Sequence, residues 1–252
     1  MLVLTLVGFV AVGISLGLLG GGGSILAVPV LVHVMQLPAG VAVPMSLPVV
    51  GAAAAVGAIA RWRAGQLRLG TAAAFAVVAM VASFAAARLG AGIADRPRLI
   101  LFTAVMLVAA VIMWRRSMRA TGAATEAPTA PQGLALPRLV PAALVVGTLT
   151  GLVGVGGGFL IVPALAGAIG LPMAEATATS LAVIALNTAA ASAGWWGRVE
   201  LDLQLTSLVT VAALAGMTVG TRLAPRFSAR TLTRAFAALL VAVAAFMVWQ
   251  EL

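Results

Sequence analysis

Two stretches decide how this chain folds: Gly17-Leu-Leu-Gly-Gly-Gly-Gly-Ser-Ile-Leu-Ala-Val-Pro29 and Gly151-Leu-Val-Gly-Val-Gly-Gly-Gly-Phe-Leu-Ile-Val-Pro163. Each is a glycine cluster set inside strongly apolar sequence and followed at a fixed distance by proline. Glycine costs about 1 kcal/mol relative to alanine inside a helix, so three or four close together end it. Two helices are therefore expected to break, one in each half of the chain, and at corresponding places.

The correspondence extends beyond the clusters. With the offset of 134 residues that carries Gly17 to Gly151, Gly17, Leu18, Gly20, Gly22, Gly23, Leu26, Val28, Pro29, Leu31, Leu37 and Pro38 recur as Gly151, Leu152, Gly154, Gly156, Gly157, Leu160, Val162, Pro163, Leu165, Leu171 and Pro172. The same offset pairs Ser46 with Ser180, Arg88 with Arg222 and Phe102 with Phe236. One offset held over that length without an insertion points to internal duplication, a common plan among secondary transporters.

Composition places the chain in lipid. Of 252 residues, 63% are hydrophobic and 8% charged, with a mean hydropathy of +1.17. Soluble domains carry about 25% charged residues, and so apolar a chain has too much surface to hide from water. Cysteine is absent, which removes disulfides, thiolate metal sites and cysteine nucleophiles. The net charge of +9 comes entirely from arginine. Lying between apolar runs, these arginines read as loops facing anionic lipid and not as a nucleic-acid surface. The segment 1–13 has no basic n-region and no clear cleavage site, so it reads as retained structure and not as a signal peptide.

Apolar runs fall at 2–19, 24–36, 40–60, 69–89, 98–114, 139–153, 159–170, 173–194, 203–223 and 231–250. A span needs about 20 residues, so 24–36 and 159–170 are too short to cross alone. The expected fold is an all-α polytopic membrane protein of two homologous repeats, each with four hydrophobic helical segments, the first broken at its glycines. The repeats cover 1–115 and 138–252, and a Thr-, Pro- and Gly-rich linker, 116–137, joins them. If each broken helix crosses, the arginines divide evenly between the two sides. If it instead turns back as a re-entrant hairpin, each half crosses three times and the halves are inverted. Arg61, Arg63, Arg68, Arg115, Arg116, Arg119, Arg138, Arg222, Arg226, Arg230 and Arg234 then share one side, against Arg88, Arg96, Arg98 and Arg198 on the other. That is a positive-inside bias, so the inverted arrangement with a cytoplasmic linker is preferred.

Broken backbone at membrane depth is tolerated only when buried in protein or lining an aqueous cavity. The short helix after each break would aim free N–H groups and a positive dipole end into that gap, and glycine lets an anion approach closely. Gly20, Gly21, Gly22, Gly23 and Ser24, with Gly154, Gly156, Gly157 and Gly158, are thus candidate binding residues for a small anion. The plainer alternative is tight helix packing, which favours spaced glycines over consecutive ones.

Ser46, Thr179, Ser180 and Asn187 fall in the spans that follow. Polar groups at that depth face protein or a cavity, although Ser and Thr also bond their own helix backbone. His33, the single histidine, could couple protons or simply be structural. Arg88 and Arg222, near helix ends, could attract an anion or snorkel to the headgroups. Trp62, Trp114, Trp195, Trp196 and Trp249 lie at span ends and read as interfacial anchors. All six acids lie in loops or at span ends, which argues against a cation pump with an acid relay. No P-loop, catalytic carboxylate pair or metal-ligand spacing is present, so neither an enzyme nor a cofactor is expected.

The paired pattern resembles the sulfite exporter TauE/SafE family, also known as the 4-toluene sulfonate uptake permeases. Gly17, Gly20, Gly22, Gly23 and Pro29 match its motif in the first copy, and Gly151, Gly154, Gly156, Gly157 and Pro163 in the second. The resemblance implies a multi-pass bacterial inner-membrane transporter of sulfur-containing anions such as sulfite, sulfoacetate or other sulfonates. Two rival readings stay open: a transporter of a neutral or cationic solute, and a non-transporting membrane scaffold.

Overall fold

The computed structural model describes residues 2–90, 92–119, 136–153, 158–167 and 169–251. They form α1 (Leu2–Leu19), a 3-10 stretch (Gly20–Leu26), α2 (Ala27–Pro29) and a π-helical turn (Val30–Val34). There follow α3 (Ala39–Arg63), α4 (Leu69–Gly90), α5 (Asp95–Arg119), α6 (Leu136–Val153) and α7 (Gly158–Gly167). The chain ends with α8 (Met173–Trp195), α9 (Leu203–Leu223), a 3-10 turn (Ala224–Arg226) and α10 (Ala229–Glu251). Among the described residues there is no strand, as expected for a protein that must satisfy its backbone without water. Most of the expected linker, residues 120–135, lies outside the described residues.

Among the described residues, five helical segments are long and apolar enough to cross a membrane: Leu2–Val34, Ala39–Arg63, Leu69–Gly90, Met173–Trp195 and Leu203–Arg226. The first is not a straight rod. Gly20 takes φ +69, a conformation open to glycine, and the chain reverses there. The return arm, Gly20–Val34, runs back along α1, with Gly23 against the backbone of Ser15 and Leu16 and Val30 against Gly8.

Small residues set the helix pairs, as they do where lipid supplies no hydrophobic drive. α1 and α9 run parallel, Gly13 and Gly17 of one interlocking with Gly216 and Gly220 of the other. α6 lies parallel to α4 in the same way, Gly147 against Ala79 and Gly151 against Ser83 and Ala87. α3 and α8, the most enclosed of these five spans, cross antiparallel: Gly51 meets Thr188 and Gly57 meets Leu181. α5 and α10 pack together outside this group. Each of these pairs either maps onto itself or onto another pair under the 134-residue offset.

The ends follow from these contacts. Arg68, just before α4, forms a bidentate pair with Glu175 in the first turn of α8, at 2.7 and 3.0 Å. The end of α3, the start of α4 and the start of α8 therefore share one end of the protein. The hydrogen bond and then the charge of Glu175 push the Arg68 guanidinium further above its ordinary range.

Candidate functional site

The two glycine segments meet. A Cβ on Gly21 would overlap the carbonyl of Gly158, and one on Gly158 would lie 2.6 Å from the Gly21 oxygen and 2.7 Å from its Cα. Only glycine at both positions allows main chain to approach main chain so closely. α8 runs beside the crossing: the Gly20 Cα lies against Thr177, and Ile184 covers Gly158. Gly22 lies under the ring of Phe236. Gly20, Gly21, Gly22 and Gly23 are all buried.

One expectation needs correction. The first break is no open gap with a row of free N–H groups, because Gly20–Leu26 stays wound as a 3-10 helix. Such winding is held by i→i+3 bonds, which take up donors that a clean helix start would leave free. The Ser24 hydroxyl donates to the Gly21 carbonyl at 2.8 Å, tightening that turn further. Gly154, Gly156 and Gly157 lie outside the described residues.

The hydroxyls serve the backbone. Ser46 donates to the Val43 carbonyl and Ser180 to that of Thr177, both at 2.8 Å. The Thr179 oxygen accepts the N–H of Arg68 at 3.2 Å, tying α8 to the start of α4. Asn187 differs. It is fully buried, and neither its side-chain oxygen nor its side-chain nitrogen has a hydrogen-bond partner. It sits three residues beyond Ile184, about 4.5 Å further along α8 from the glycine crossing.

His33 is half-buried in the π-helical turn, where its carbonyl accepts a bond from Gln36 at 2.7 Å. Arg88 is exposed, its guanidinium 5.6 Å from the Phe84 ring, and Arg222 is exposed as well. Neither is among the residues that line the two described cavities. Trp195 is a second correction: it is no interfacial anchor but buried, its indole N–H donating to the Gly151 carbonyl at 3.3 Å. Trp62 and Trp196 are exposed, as anchors should be.

Sequence reasoning missed Arg61, which had counted only as one more loop arginine. It is buried at the end of α3, donating to the Gly17 carbonyl at 3.1 Å and to the Gln66 side chain at 2.9 Å. The 134-residue offset links it to the other half. Arg61 and Gly17 correspond to Trp195 and Gly151, and the same donor-to-carbonyl bond forms in both halves.

The family model described as sulfite exporter TauE/SafE matches residues 4–247. Two proteins of Xylella fastidiosa, each named "Probable membrane transporter protein", are similar along nearly their whole length. That of strain 9a5c is 34% identical over 247 residues, 95% of this chain and 92% of its own. That of strain Temecula1 is 32% identical over the same shares. No solved structure matches the chain.

Proposed function

Because the chain belongs to the sulfite exporter TauE/SafE family and is accordingly a multi-pass membrane transporter of that type in the bacterial inner membrane, we propose that it moves a small sulfur-containing anion by alternating access. The substrate class is sulfite, sulfoacetate or another organosulfonate. The anion is held where the two glycine segments cross, by backbone amides released as the segments part, with the Asn187 carboxamide as the side-chain contact. Ser24, Ser46, Thr179 and Ser180 line the path, and His33 is the candidate for proton coupling.

One observation carries this reading: a fully buried carboxamide without partners lies one helical turn from a contact built of main chain alone. Buried polar groups are normally paired, and an unpaired one at membrane depth is a functional-site signal. The two units are inverted, each opening with a re-entrant hairpin. The antiparallel crossing of α3 and α8 and the return of Gly20–Val34 along α1 support that arrangement. Close packing over Gly20–Gly23 corresponds to a shut state, and rocking of one unit against the other would separate Gly21 from Gly158.

The same close packing favours a second reading, a scaffold in which the glycines serve contact only. Uptake of radiolabelled sulfite, sulfoacetate and taurine into proteoliposomes, with and without a pH gradient, separates the two. Saturable flux of one anion, competed by the unlabelled compound, is the expected result. Folded protein that moves none of them supports the scaffold or a neutral solute.

A further inference from the structure

We propose that the cavity beside Arg61 is a docking subsite for a small oxyanion at the arginine-rich end of the protein; the described cavity beside Trp195, the equivalent position at the opposite end, is lined by no charged residue. This deepens the transport reading and rests on it for the choice of sulfite and sulfonates as ligands. The cavity holds about 140 Å³ and is lined by Arg61, Gln66, Ala174 and Thr177 among others. One water occupies about 30 Å³ of liquid volume, so the space admits a compact oxyanion.

Its chemistry calls for negative charge. Arg61 is 9% exposed. Its two described bonds go to neutral acceptors, the Gly17 carbonyl and the Gln66 amide, and its buried Nε has no partner. No described carboxylate lines the cavity. The nearby Glu175 is engaged on both oxygens by Arg68. A buried guanidinium facing only neutral acceptors is costly unless an anion completes it, and its planar fork suits two oxygens of a sulfonate or sulfite. A second donor set points the same way. α8 begins at Met173 with no side-chain cap, and Met173 and Ala174 line the cavity, so the uncapped start of that helix borders it.

The offset shows that structure alone does not require the charge. Trp195 occupies the position equivalent to Arg61 and makes the equivalent bond to Gly151 with a neutral indole. A cation at position 61 therefore supplies something beyond its bond to Gly17. Thr177 lines the cavity and also packs against Gly20, so an anion seated beside Arg61 waits against the glycine segment it would enter.

The test uses the full-length protein in detergent and in oriented proteoliposomes. Calorimetric titration with sodium sulfite and sodium sulfoacetate, against chloride at equal ionic strength, compares wild type with Arg61→Gln, Ala174→Phe and Arg63→Gln. Ala174→Phe narrows the cavity while keeping both Arg61 bonds, so it decides the matter if Arg61→Gln does not fold. Arg61→Gln and Ala174→Phe should weaken binding about tenfold or more, and the exposed Arg63→Gln should not. In flux measurements the KM should rise only for anion presented at the arginine-rich end. Unchanged affinity in both cavity variants, or a KM raised equally from both sides, overturns the subsite. Arg61-dependent binding without flux leaves the subsite standing and sinks the transport reading. Flux with unchanged constants in the cavity variants does the reverse.

Discussion

Replacing Asn187 by leucine should stabilise the protein while abolishing its transport. The carboxamide is fully buried, with its oxygen and nitrogen both unpaired; the Ser83 hydroxyl reaches only the main-chain carbonyl of this residue, at 3.3 Å. An unsatisfied buried donor or acceptor costs about 1–3 kcal/mol in soluble interiors. In membranes the net worth of a hydrogen bond averages about 0.6 kcal/mol, because the reference state also finds partners. For one donor group and one acceptor the penalty lies between about 1 and 6 kcal/mol, and about 2 kcal/mol is a conservative expectation. Leucine has the same number of side-chain heavy atoms, branched at the same carbon, so little packing is lost. At about 2–4 °C per kcal/mol for a chain of this size, Asn187→Leu should raise Tm by about 4–8 °C. Tryptophan fluorescence during heating in detergent reads the first effect, and proteoliposome flux the second. Such opposition between stability and activity is usual where a residue is kept for function. A lower Tm than wild type, or a higher Tm with full flux, refutes the reasoning.

Gly22→Ala would force a methyl group into the Phe236 ring and should cost about 1–3 kcal/mol; a double-mutant cycle in Tm should show Phe236→Leu recovering at least half of it. Gly216→Ala overlaps the Val10 carbonyl and separates α1 from α9, so it should destabilise by about 2 kcal/mol or more. Gly70→Ala meets nothing within 4 Å and should leave Tm unchanged or slightly raised. The chain has no cysteine, so single cysteines report sidedness directly. Trp62→Cys and Trp196→Cys, both exposed and equivalent under the offset, should react with an impermeant maleimide from opposite sides. Labelling from the same side would overturn the inverted arrangement.

The sequence made the helices legible because apolar length and glycine clusters are local signals. The runs at 69–89 and 203–223 match α4 and α9 to within a residue. Which faces meet was not legible. A helix such as α1 is apolar all round, so no periodicity marks its buried side, and the match of Gly13 and Gly17 to Gly216 and Gly220 requires knowing that α1 and α9 touch. The winding of Gly20–Leu26 was misjudged for a related reason. Glycine propensity says that an α-helix ends there, but not that a tighter helix with one positive φ can carry the chain round. Arg61 and Trp195 were hidden by their company, since arginine and tryptophan at span ends usually face headgroups. What buries them is a carbonyl 44 residues earlier in sequence, and no local pattern announces that.

The pairing of α1 with α9 also bears on how the protein is made. Gly13 and its partner Gly216 are separated by about 200 residues, which at 5–20 residues per second takes about 10–40 s to synthesise. Over that interval the first helix and its return arm are in the membrane without the surface that locks them. The hairpin is then held mainly by its own contacts, Gly23 on Leu16 and Val30 on Gly8. A chain that stalls after the first half would leave a glycine face open to lipid and to other small-residue helices. For this protein, completion of the second half is therefore what commits the first to its final pairing.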